Sequence, residues 1–387
     1  MKKIVIVGGG ASGLVCAIKA KSKNNNVILL EKNNKCGKKI LASGSGKCNY
    51  FNDDMDLKHF HSNSNNINKI ITNDNIKEML NFLDKIGIKS KIKNGYYYPS
   101  SNSSTSVKNA LVTEALVKGV KIIKNIDIKD IIKNDKFIIN PEKENITADC
   151  VVLSTGSMAS IGYDSYFLAK KFGHTIIKPT PALVKLNSSK NLKGFEKIRC
   201  DAIVSLYENG KLIKSENGQL QFTNTGISGV CVFNLSQYIK LNNCEYICVN
   251  FVPFLDNISA YLESKNNKTI FQVLETILNY KVVNVILKEC NINKGTFYNE
   301  LKVKEKEKLL KNLLSFKIPI TGLGDFKEAQ VCKGGVCLNE INPLNMRSLK
   351  EDNLYLTGEL LDVNGDCGGY NLTFAFISGM LAGRDIK

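Results

Sequence analysis

The chain has 387 residues, of which 43% are hydrophobic and 23% are charged, and it carries a formal net charge of +17. This composition is typical of folded globular proteins and excludes disorder of the whole chain. No run approaches the roughly 20 apolar residues that span a bilayer, and the first residues do not resemble a signal peptide. We therefore expect a cytoplasmic protein with no membrane partner.

The positive charge comes almost entirely from lysine, because arginine occurs only at Arg199, Arg347 and Arg384. Arginine is the residue that makes bidentate contacts to phosphates and bases. The composition therefore argues against a nucleic-acid partner and favours a solvated, lysine-rich surface. Such a surface still attracts anionic substrates or cofactors.

The first elements form a βαβ unit. Residues 2–7 are a continuous apolar run, which predicts a strand buried on both faces of a parallel sheet. A helix is expected over 14–21, and a second buried strand over 26–31 ends in an acid.

The turn between the first strand and the helix reads Gly8-x-Gly10-x-x-Gly13, the dinucleotide-binding fingerprint in its required context. Gly8 permits a tight turn, Gly10 lets a pyrophosphate approach the backbone, and Gly13 lets the helix pack on the strand. Glu31 is placed to bind ribose hydroxyls. The predicted cofactor contacts of this segment are Gly8, Gly10, Ala11, Ser12, Gly13, Glu31 and Lys32.

The remaining elements follow in chain order: a loop over 33–52, helices over 74–86 and 109–118, a buried strand over 148–156, short antiparallel strands over 183–255, mostly helix over 256–315, a buried strand over 353–359 and a helix over 372–382. A parallel α/β unit thus begins at the first residues and is completed by the last ones. The predicted domains are 1–185 with 345–387 (nucleotide-binding), 186–255 with 316–344 (inserted β domain) and 256–315 (helical).

The C-terminal strand distinguishes FAD from NAD. It ends at Gly358-Glu359, and a glycine-rich segment then leads through Gly369, Tyr370, Asn371 and Leu372 into the last helix. In flavoproteins of the glutathione-reductase type, an acid at such a turn binds the ribityl chain. The helix that follows stabilises negative charge on the reduced ring. Thr155-Gly156 matches a third turn of these flavoproteins, and together the three turns favour FAD.

Six segments resemble the bacterial BaiN/RdsA-type flavoproteins, also known as aminoacetone-oxidase-family FAD-binding enzymes. The segments are 37–49, 179–184, 222–229, 334–336, 340–343 and 358–371. The resemblance implies an α/β fold with a glutathione-reductase-like Rossmann FAD domain, an inserted β-barrel-like domain and a small helical domain. It also implies that a loop runs past the pyrophosphate and isoalloxazine of FAD. The loop residues expected at the cofactor are Lys38, Lys39, Ser43, Gly44, Ser45, Gly46 and Asn49.

The resulting hypothesis is an FAD-dependent oxidoreductase that transfers hydride between a small organic substrate and flavin N5. NAD(P)H or oxygen would be the exchange partner. No second Gly-x-Gly-x-x-Gly follows a strand, so NAD(P)H would bind only transiently. Two alternatives stay open: a tRNA-modifying flavoprotein, and a non-catalytic FAD-binding redox protein.

No acid–base residue stands out from the sequence, and the catalytic side chains are left unassigned. His59 and His61 could share one strand face, although a surface position is the favoured interpretation. No Cys-x-x-Cys pair occurs and histidines are few, so no metal site is expected. A redox pair of Cys332 and Cys337, and a reactive Cys48, are weaker alternatives.

Overall fold

A computed structural model of the chain describes residues 1–140, 142–143, 145–160, 164–241 and 245–387. The chain forms two compact units, residues 1–180 with 331–387, and residues 181–330. Residues 331–344, which the sequence assigns to the inserted β domain, lie in the first unit. The three-part division with the boundaries given above stays a prediction.

The described residues form helices and strands, with five short 3₁₀ turns between them. The helices are α1 (Ala11–Ala20), α2 (Lys38–Ala42), α3 (Ile67–Ile70), α4 (Asn73–Lys85), α5 (Ser104–Val117), α6 (Phe167–Lys171), α7 (Val230–Ser236), α8 (Ile258–Glu263), α9 (Ile270–Leu274), α10 (Tyr280–Cys290), α11 (Val303–Leu314) and α12 (Tyr370–Ile386). The strands are β1 (Lys2–Val7), β2 (Asn25–Glu31), β3 (Phe51–Asn52), β4 (Phe60–His61), β5 (Ser90–Lys93), β6 (Tyr96–Pro99), β7 (Lys121–Lys124), β8 (Ile131–Lys133), β9 (Phe137–Ile139), β10 (Ile146–Ala148), β11 (Cys150–Leu153), β12 (Ile176–Ala182), β13 (Leu186–Ser188), β14 (Arg199–Glu208), β15 (Lys211–Phe222), β16 (Gly226–Ser228), β17 (Glu245–Asn250), β18 (Phe316–Leu323), β19 (Val331–Val336), β20 (Leu354–Leu356) and β21 (Asn364–Gly365).

The first unit is built on a five-stranded sheet in the order β20-β11-β1-β2-β7. All four pairings are parallel, with Val7 opposite Leu30 on one side and Leu153 on the other. Since β20 comes from the far end of the sequence, the two ends of the chain meet in one sheet. The predicted Rossmann-type fold is confirmed.

Helices α1 and α12 pack against each other through glycines. A Cβ on Gly379 would overlap the Ser12 carbonyl, and one on Gly383 would lie 2.6 Å from the Cys16 carbonyl oxygen. Larger residues at these positions would push the helices apart. The contact therefore fixes the last helix against the first one.

The second unit contains a closed six-stranded barrel, in the order β13-β16-β15-β14-β17-β18, which confirms the inserted β-barrel-like domain. Helices α8–α11 share one hydrophobic core with the barrel strands. The region 183–255 also contains α7, which the sequence predicts as strand. Its β-branched residues favour a strand locally, but tertiary packing overrides that preference.

Several element bounds differ from the sequence-based expectation. Helix α1 begins at Ala11 rather than residue 14, because Gly10 has an extended conformation and the helix follows it at once. Helix α12 begins at Tyr370 rather than 372. The loop over 33–52 contains α2 and β3. No helix in the described part of the chain combines the length and apolar character needed to cross a bilayer.

Candidate flavin site

The fingerprint glycines lie where β1 ends and α1 begins, at the carboxyl edge of the parallel sheet. A Cβ on Gly8, whose φ is +109°, would overlap the Ser154 carbonyl, and one on Gly13 would overlap the Gly8 carbonyl. A Cβ on Gly10 has no described atom within 4 Å. Two of the glycines therefore serve internal packing, whereas Gly10 borders open space.

The start of α1 has no side-chain cap among the described residues and no acid in its first turn. Its partly exposed Ala11 and buried Ser12 contribute N–H groups at the positive end of the helix dipole. Such a terminus is a ready site for a phosphate.

Glu31 links the end of β2 to this turn. Its side chain is buried, with one carboxylate oxygen 2.8 Å from the Gly9 amide nitrogen and the other 2.7 Å from both the backbone and side-chain nitrogens of Asn33. The sequence does not anticipate these bonds, which orient the carboxylate. The neighbouring Lys32 is exposed and forms an ion pair with Asp127 at 3.3 Å.

The loop after Glu31 has left-handed backbone at three successive residues, Gly44, Ser45 and Gly46 (φ 54°, 53° and 84°). This conformation presents backbone rather than side chains. Lys38 is exposed and Ser43 half-buried. The buried Asn49 Oδ1 has no hydrogen-bond partner among the described residues.

Lys39 leaves this loop to join a second carboxylate. Its ammonium lies 2.8 Å from Glu359 Oε2 and 3.2 Å from Ser157 Oγ, and Ser157 donates to Glu359 Oε1. Glu359 is thereby oriented by a cation and a hydroxyl. The loop and the C-terminal turn, predicted separately as cofactor contacts, come together here.

The third turn follows β11. Thr155 Oγ1 donates to the Ser165 carbonyl at 3.0 Å. Gly156 has a φ of +73°, and a Cβ there would meet no described atom within 4 Å. Like Gly10, Gly156 thus borders open space.

The C-terminal turn touches the start of α1. The Gly358 amide donates to Ser378 Oγ at 3.0 Å, and a Cβ on Gly358 would clash with Ser12 Oγ. Gly358 must therefore be glycine for β20 to end beside α1.

Gly369 (φ +98°) is the N-cap of helix α12, which has no side-chain cap among the described residues. Asn371 closes the preceding loop by exchanging two 2.8 Å hydrogen bonds with the Gly365 backbone. Leu372 is half-buried and Tyr370 buried, and burial raises the pKa of the Tyr370 phenol. The N-terminus of α12 therefore has the character predicted for a helix that faces an anion.

A cluster that the sequence missed lies beside this helix. Asp366 is 2.9 Å from His59 Nδ1 through one carboxylate oxygen and 2.9 Å from His61 Nε2 through the other. Both histidines are half-buried, with side chains 20% and 21% exposed, and the sequence did not anticipate that they share one carboxylate. The sequence feature that could have indicated this cluster is Asp366, an acid just before the C-terminal helix.

The cysteine alternatives lose support. Cys48 is fully buried, and burial raises its pKa to about 11, so thiolate is scarce near neutral pH. Cys332 is also buried with a raised pKa, and both it and Cys337 are free thiols. No group of residues suited to a metal ion occurs in the described ranges.

These features fit FAD. Two glycines border open space, an uncapped helix start faces that edge of the sheet, and Asn49 holds a buried acceptor without a partner. A long anionic dinucleotide offers phosphates for the helix and donors for the acceptor. The residues thus suit the group that the sequence indicates.

Comparison with known proteins gives a consistent result. A family model described as "HI0933-like protein Rossmann domain" matches residues 2–385. The chain is 35% identical to the 3-dehydro-bile acid delta(4,6)-reductase of Clostridium scindens, over 99% of this chain and 98% of that protein. It is 25% identical to the ribosomal RNA dihydrouridine synthase of Escherichia coli (strain K12), over 99% and 97%.

Among solved structures, a 3-ketosteroid-delta4-(5alpha)-dehydrogenase from Rhodococcus jostii RHA1 matches with a TM-score of 0.48 and 13% identity, over 100% of this chain and 97% of that one. The fold, the three glycine turns and the family match define an FAD-dependent oxidoreductase. The chain belongs to the HI0933-like family, and the resemblance to BaiN/RdsA-type flavoproteins is confirmed.

Proposed function

We propose that this oxidoreductase uses FAD to reduce a carbon–carbon double bond conjugated to a carbonyl in a small organic molecule. The names of its relatives share this chemistry. A delta(4,6)-reductase of a 3-dehydro-bile acid acts on double bonds conjugated to a 3-oxo group. Dihydrouridine is uridine whose ring double bond, also conjugated to a carbonyl, is saturated. The higher identity to the first relative favours the small molecule.

The contact of Ser12 with Gly358 is the observation that carries the cofactor part of the proposal. It supports a single extended dinucleotide along the sheet edge, because it places the turn of Gly358 and Glu359 beside the start of α1, and Glu31 accepts a hydrogen bond from Gly9 just before that helix. In this proposal the start of α1 holds the pyrophosphate and Glu31 the adenosine ribose. The residues proposed to contact FAD are Gly8, Gly10, Ala11, Ser12, Gly13, Glu31, Lys32, Lys38, Lys39, Ser43, Gly44, Ser45, Gly46, Asn49, Thr155, Gly156, Gly358, Glu359, Gly369, Tyr370, Asn371 and Leu372.

When bound, FAD supplies the hydride from N5. The chain's own contribution is orientation and electrostatics. Glu359, held by Lys39 and Ser157, offers a fixed acceptor for ribityl hydroxyls. The N-terminus of α12, which has no side-chain cap among the described residues, would stabilise negative charge on the ring. Both effects are in place before the substrate binds, so they need no rearrangement during reaction.

The electron donor is proposed to be NAD(P)H, bound only transiently, with oxygen as the alternative exchange partner. The sequence offers no second dinucleotide fingerprint for a resident nicotinamide. Anaerobic stopped-flow mixing of the yellow holoprotein with NADH or NADPH tests this step, since bleaching of the flavin band reports reduction directly.

Gly10→Ala tests the cofactor site. The new methyl enters open space and the backbone tolerates alanine, so the apoprotein should unfold at the wild-type temperature. FAD affinity should fall at least about tenfold, because the methyl occupies the space proposed for the pyrophosphate. Gly295→Ala is the matched control, since its Cβ also meets no described atom within 4 Å and it lies in the second unit. Wild-type FAD content in Gly10→Ala would refute the assignment.

A substrate screen tests the reaction. The reduced protein is mixed without oxygen with a 3-oxo-4-ene steroid, 4-androstene-3,17-dione, and separately with a uridine-containing ribosomal RNA fragment. Reoxidation by the steroid supports the proposal. Reoxidation by the RNA alone, with binding that weakens steeply as salt rises, would favour the second candidate that the +17 charge allows, uracil reduction in RNA. Flavin that stays oxidised with every donor would indicate a non-catalytic protein.

A further inference from the structure

Two imidazoles and one carboxylate form a compact polar group just before α12, here named the proton cluster: His59, His61 and Asp366. The backbone fixes all three. Strand β4 pairs with β21, which places His61 opposite Asn364, and the Asp366 amide donates to the His59 carbonyl at 2.9 Å. Asp366 is buried, while each imidazole keeps about a fifth of its side chain exposed. The carboxylate is enclosed, and the rings reach solvent.

The hydrogen bonds indicate which atoms hold protons. His59 Nδ1 faces Asp366 and its Nε2 lies 3.0 Å from Asp54 Oδ2. Carboxylates only accept hydrogen bonds, so both His59 nitrogens donate. His61 Nε2 likewise meets the second oxygen of Asp366 at 2.9 Å. In the cluster, two imidazoles therefore donate exchangeable N–H protons to one shared carboxylate, Asp366.

The surroundings of the cluster carry other charges. Asp54 and Asp56 are exposed and pair with Lys58, at 3.6 Å and 3.4 Å. The hydrogen bond from His59 lowers the pKa of Asp54. The phenol of Tyr370 lies near the same carboxylates, Asp54, Asp56 and Asp366, and near Tyr96. Among the described residues, the charged side chains around the two imidazoles are thus one lysine, Lys58, and three carboxylates, Asp54, Asp56 and Asp366.

The cluster also adjoins the helix end proposed to face the flavin ring. Asp366 lies three positions before Gly369, the N-cap of α12. Tyr370, the first residue of that helix, stacks on His59 with ring centroids 4.7 Å apart. The stack ties the imidazole to the helix terminus.

We propose that the proton cluster delivers the proton that completes reduction of the conjugated double bond, an inference that rests on the proposed function. The β-carbon of the substrate receives one hydride from reduced FAD, and the electrons of the double bond move toward the carbonyl oxygen. The α-carbon then takes a proton from an imidazolium N–H. Water reprotonates the neutral imidazole, and NAD(P)H restores the reduced cofactor.

The test uses His59→Gln, His61→Gln and the double variant of the holoprotein, with two substrates. With 4-androstene-3,17-dione, the double variant should reoxidise about 10²-fold more slowly or worse, the usual contribution of a general acid. With 1-nitrocyclohexene, hydride addition gives a nitronate that is stable without protonation. The double variant should therefore still reoxidise but release the nitronate, seen by its ultraviolet absorbance, where the wild type releases the nitroalkane.

Lys58→Gln is the matched control, because it removes a neighbouring positive charge without removing a ring nitrogen. It should release nitroalkane like the wild type. A readout without turnover is diethyl pyrocarbonate acylation of the oxidised holoprotein. Since His174 is buried, acylation should fall on His59 and His61, and 4-androstene-3,17-dione should protect them.

The outcomes separate the two proposals. A wild type that reduces neither substrate would overturn the proposed function and this inference with it. A double variant that releases nitroalkane at the wild-type rate, or steroid that binds without protecting the imidazoles, would overturn this inference alone. If the double variant loses its flavin, the single variants His59→Gln and His61→Gln are used in the same assay. Partial release of nitronate by each single variant would then support the inference. Release of only nitroalkane by both single variants would refute it.

Discussion

The two units of the molecule bury different kinds of side chain. Among the buried polar and charged residues in the described part of the chain, only Ser236, Gln237 and Glu245 belong to the second unit. The first unit buries Glu31, Asp362 and Asp366 together with many hydroxyls and amides. The second unit instead centres on stacked aromatic rings, such as Phe195 and Phe222 with centroids 4.3 Å apart.

The difference in buried side chains suggests that the two units contribute differently to stability and to function. A buried polar group costs free energy unless it is hydrogen-bonded, whereas buried aromatic rings stabilise a core directly. The first unit accepts that cost at many positions, and two of them, Ser12 and Glu31, are among the residues proposed to hold FAD. The second unit has the largely apolar core expected of a region that contributes to stability rather than to cofactor binding. Variants in the two units should therefore affect different measurements.

The largest effect on stability is expected from Phe222→Ala in the barrel. Phe222 is fully buried and stacks on Phe195, so its loss should lower the free energy of unfolding by about 3–5 kcal/mol. FAD affinity of the folded fraction should stay within about threefold of wild type. Chemical denaturation followed by circular dichroism, with FAD titration by fluorescence, measures both. A large loss of FAD affinity would contradict the separation of roles.

A smaller effect is expected from Ser378→Ala in α12. Ser378 Oγ accepts the Gly358 amide at 3.0 Å and donates to the Phe374 carbonyl at 2.8 Å. Its loss leaves a buried amide without a partner, at a cost of about 1–3 kcal/mol. FAD affinity should fall too, since Gly358 precedes Glu359. Ser205→Ala is the control, because it removes only the exposed hydrogen bond between the Ser205 and Ser215 hydroxyls in the barrel. It should change the free energy of unfolding by no more than about 0.5 kcal/mol and leave FAD binding intact.

Local signals account for what the sequence could predict. The Gly8–Gly13 turn and Glu31 stand close together in the chain, and a side chain at Gly8 or Gly13 would overlap a backbone carbonyl. The strand ends at Gly156 and Gly358 follow continuous apolar runs, which are typical of parallel sheets. The discontinuity of the nucleotide-binding unit could be predicted because the same strand-to-glycine pattern opens and closes the chain.

Long-range pairs account for what the sequence could not predict. Lys39 and Glu359 are 320 residues apart, and His59 and Asp366 are 307 apart. No periodicity links such positions, and one sequence contains no record of which residues touch. The barrel was expected only through family resemblance, and α7 was missed because Val230, Cys231 and Val232 favour a strand when read locally.

The smallest predicted effect concerns pH and the buried His174, which tests whether every buried polar group of the first unit serves the cofactor. Burial lowers the pKa of His174, although Glu340 accepts from its Nδ1 at 3.2 Å. Its folded pKa is thus below the unfolded value of about 6.5. The unfolded chain therefore binds a proton that the folded chain does not, as pH falls through about 6.5 toward the folded value.

The stability that His174 contributes is present above about pH 6.5 and is lost below it, with a slope of at most about 1.4 kcal/mol per pH unit. Denaturation of the apoprotein at about pH 7.5, 6.5 and 5.5 measures this slope, which His174→Gln should flatten. Burial alone would raise the pKa of Glu340, but its hydrogen bonds with Thr175 and Lys350 outweigh this and lower it. Protonation of Glu340 therefore affects the free energy of unfolding only at lower pH. An FAD affinity that changes in His174→Gln would place this group with the cofactor site, whereas an unchanged affinity would make it a purely structural member of the first unit.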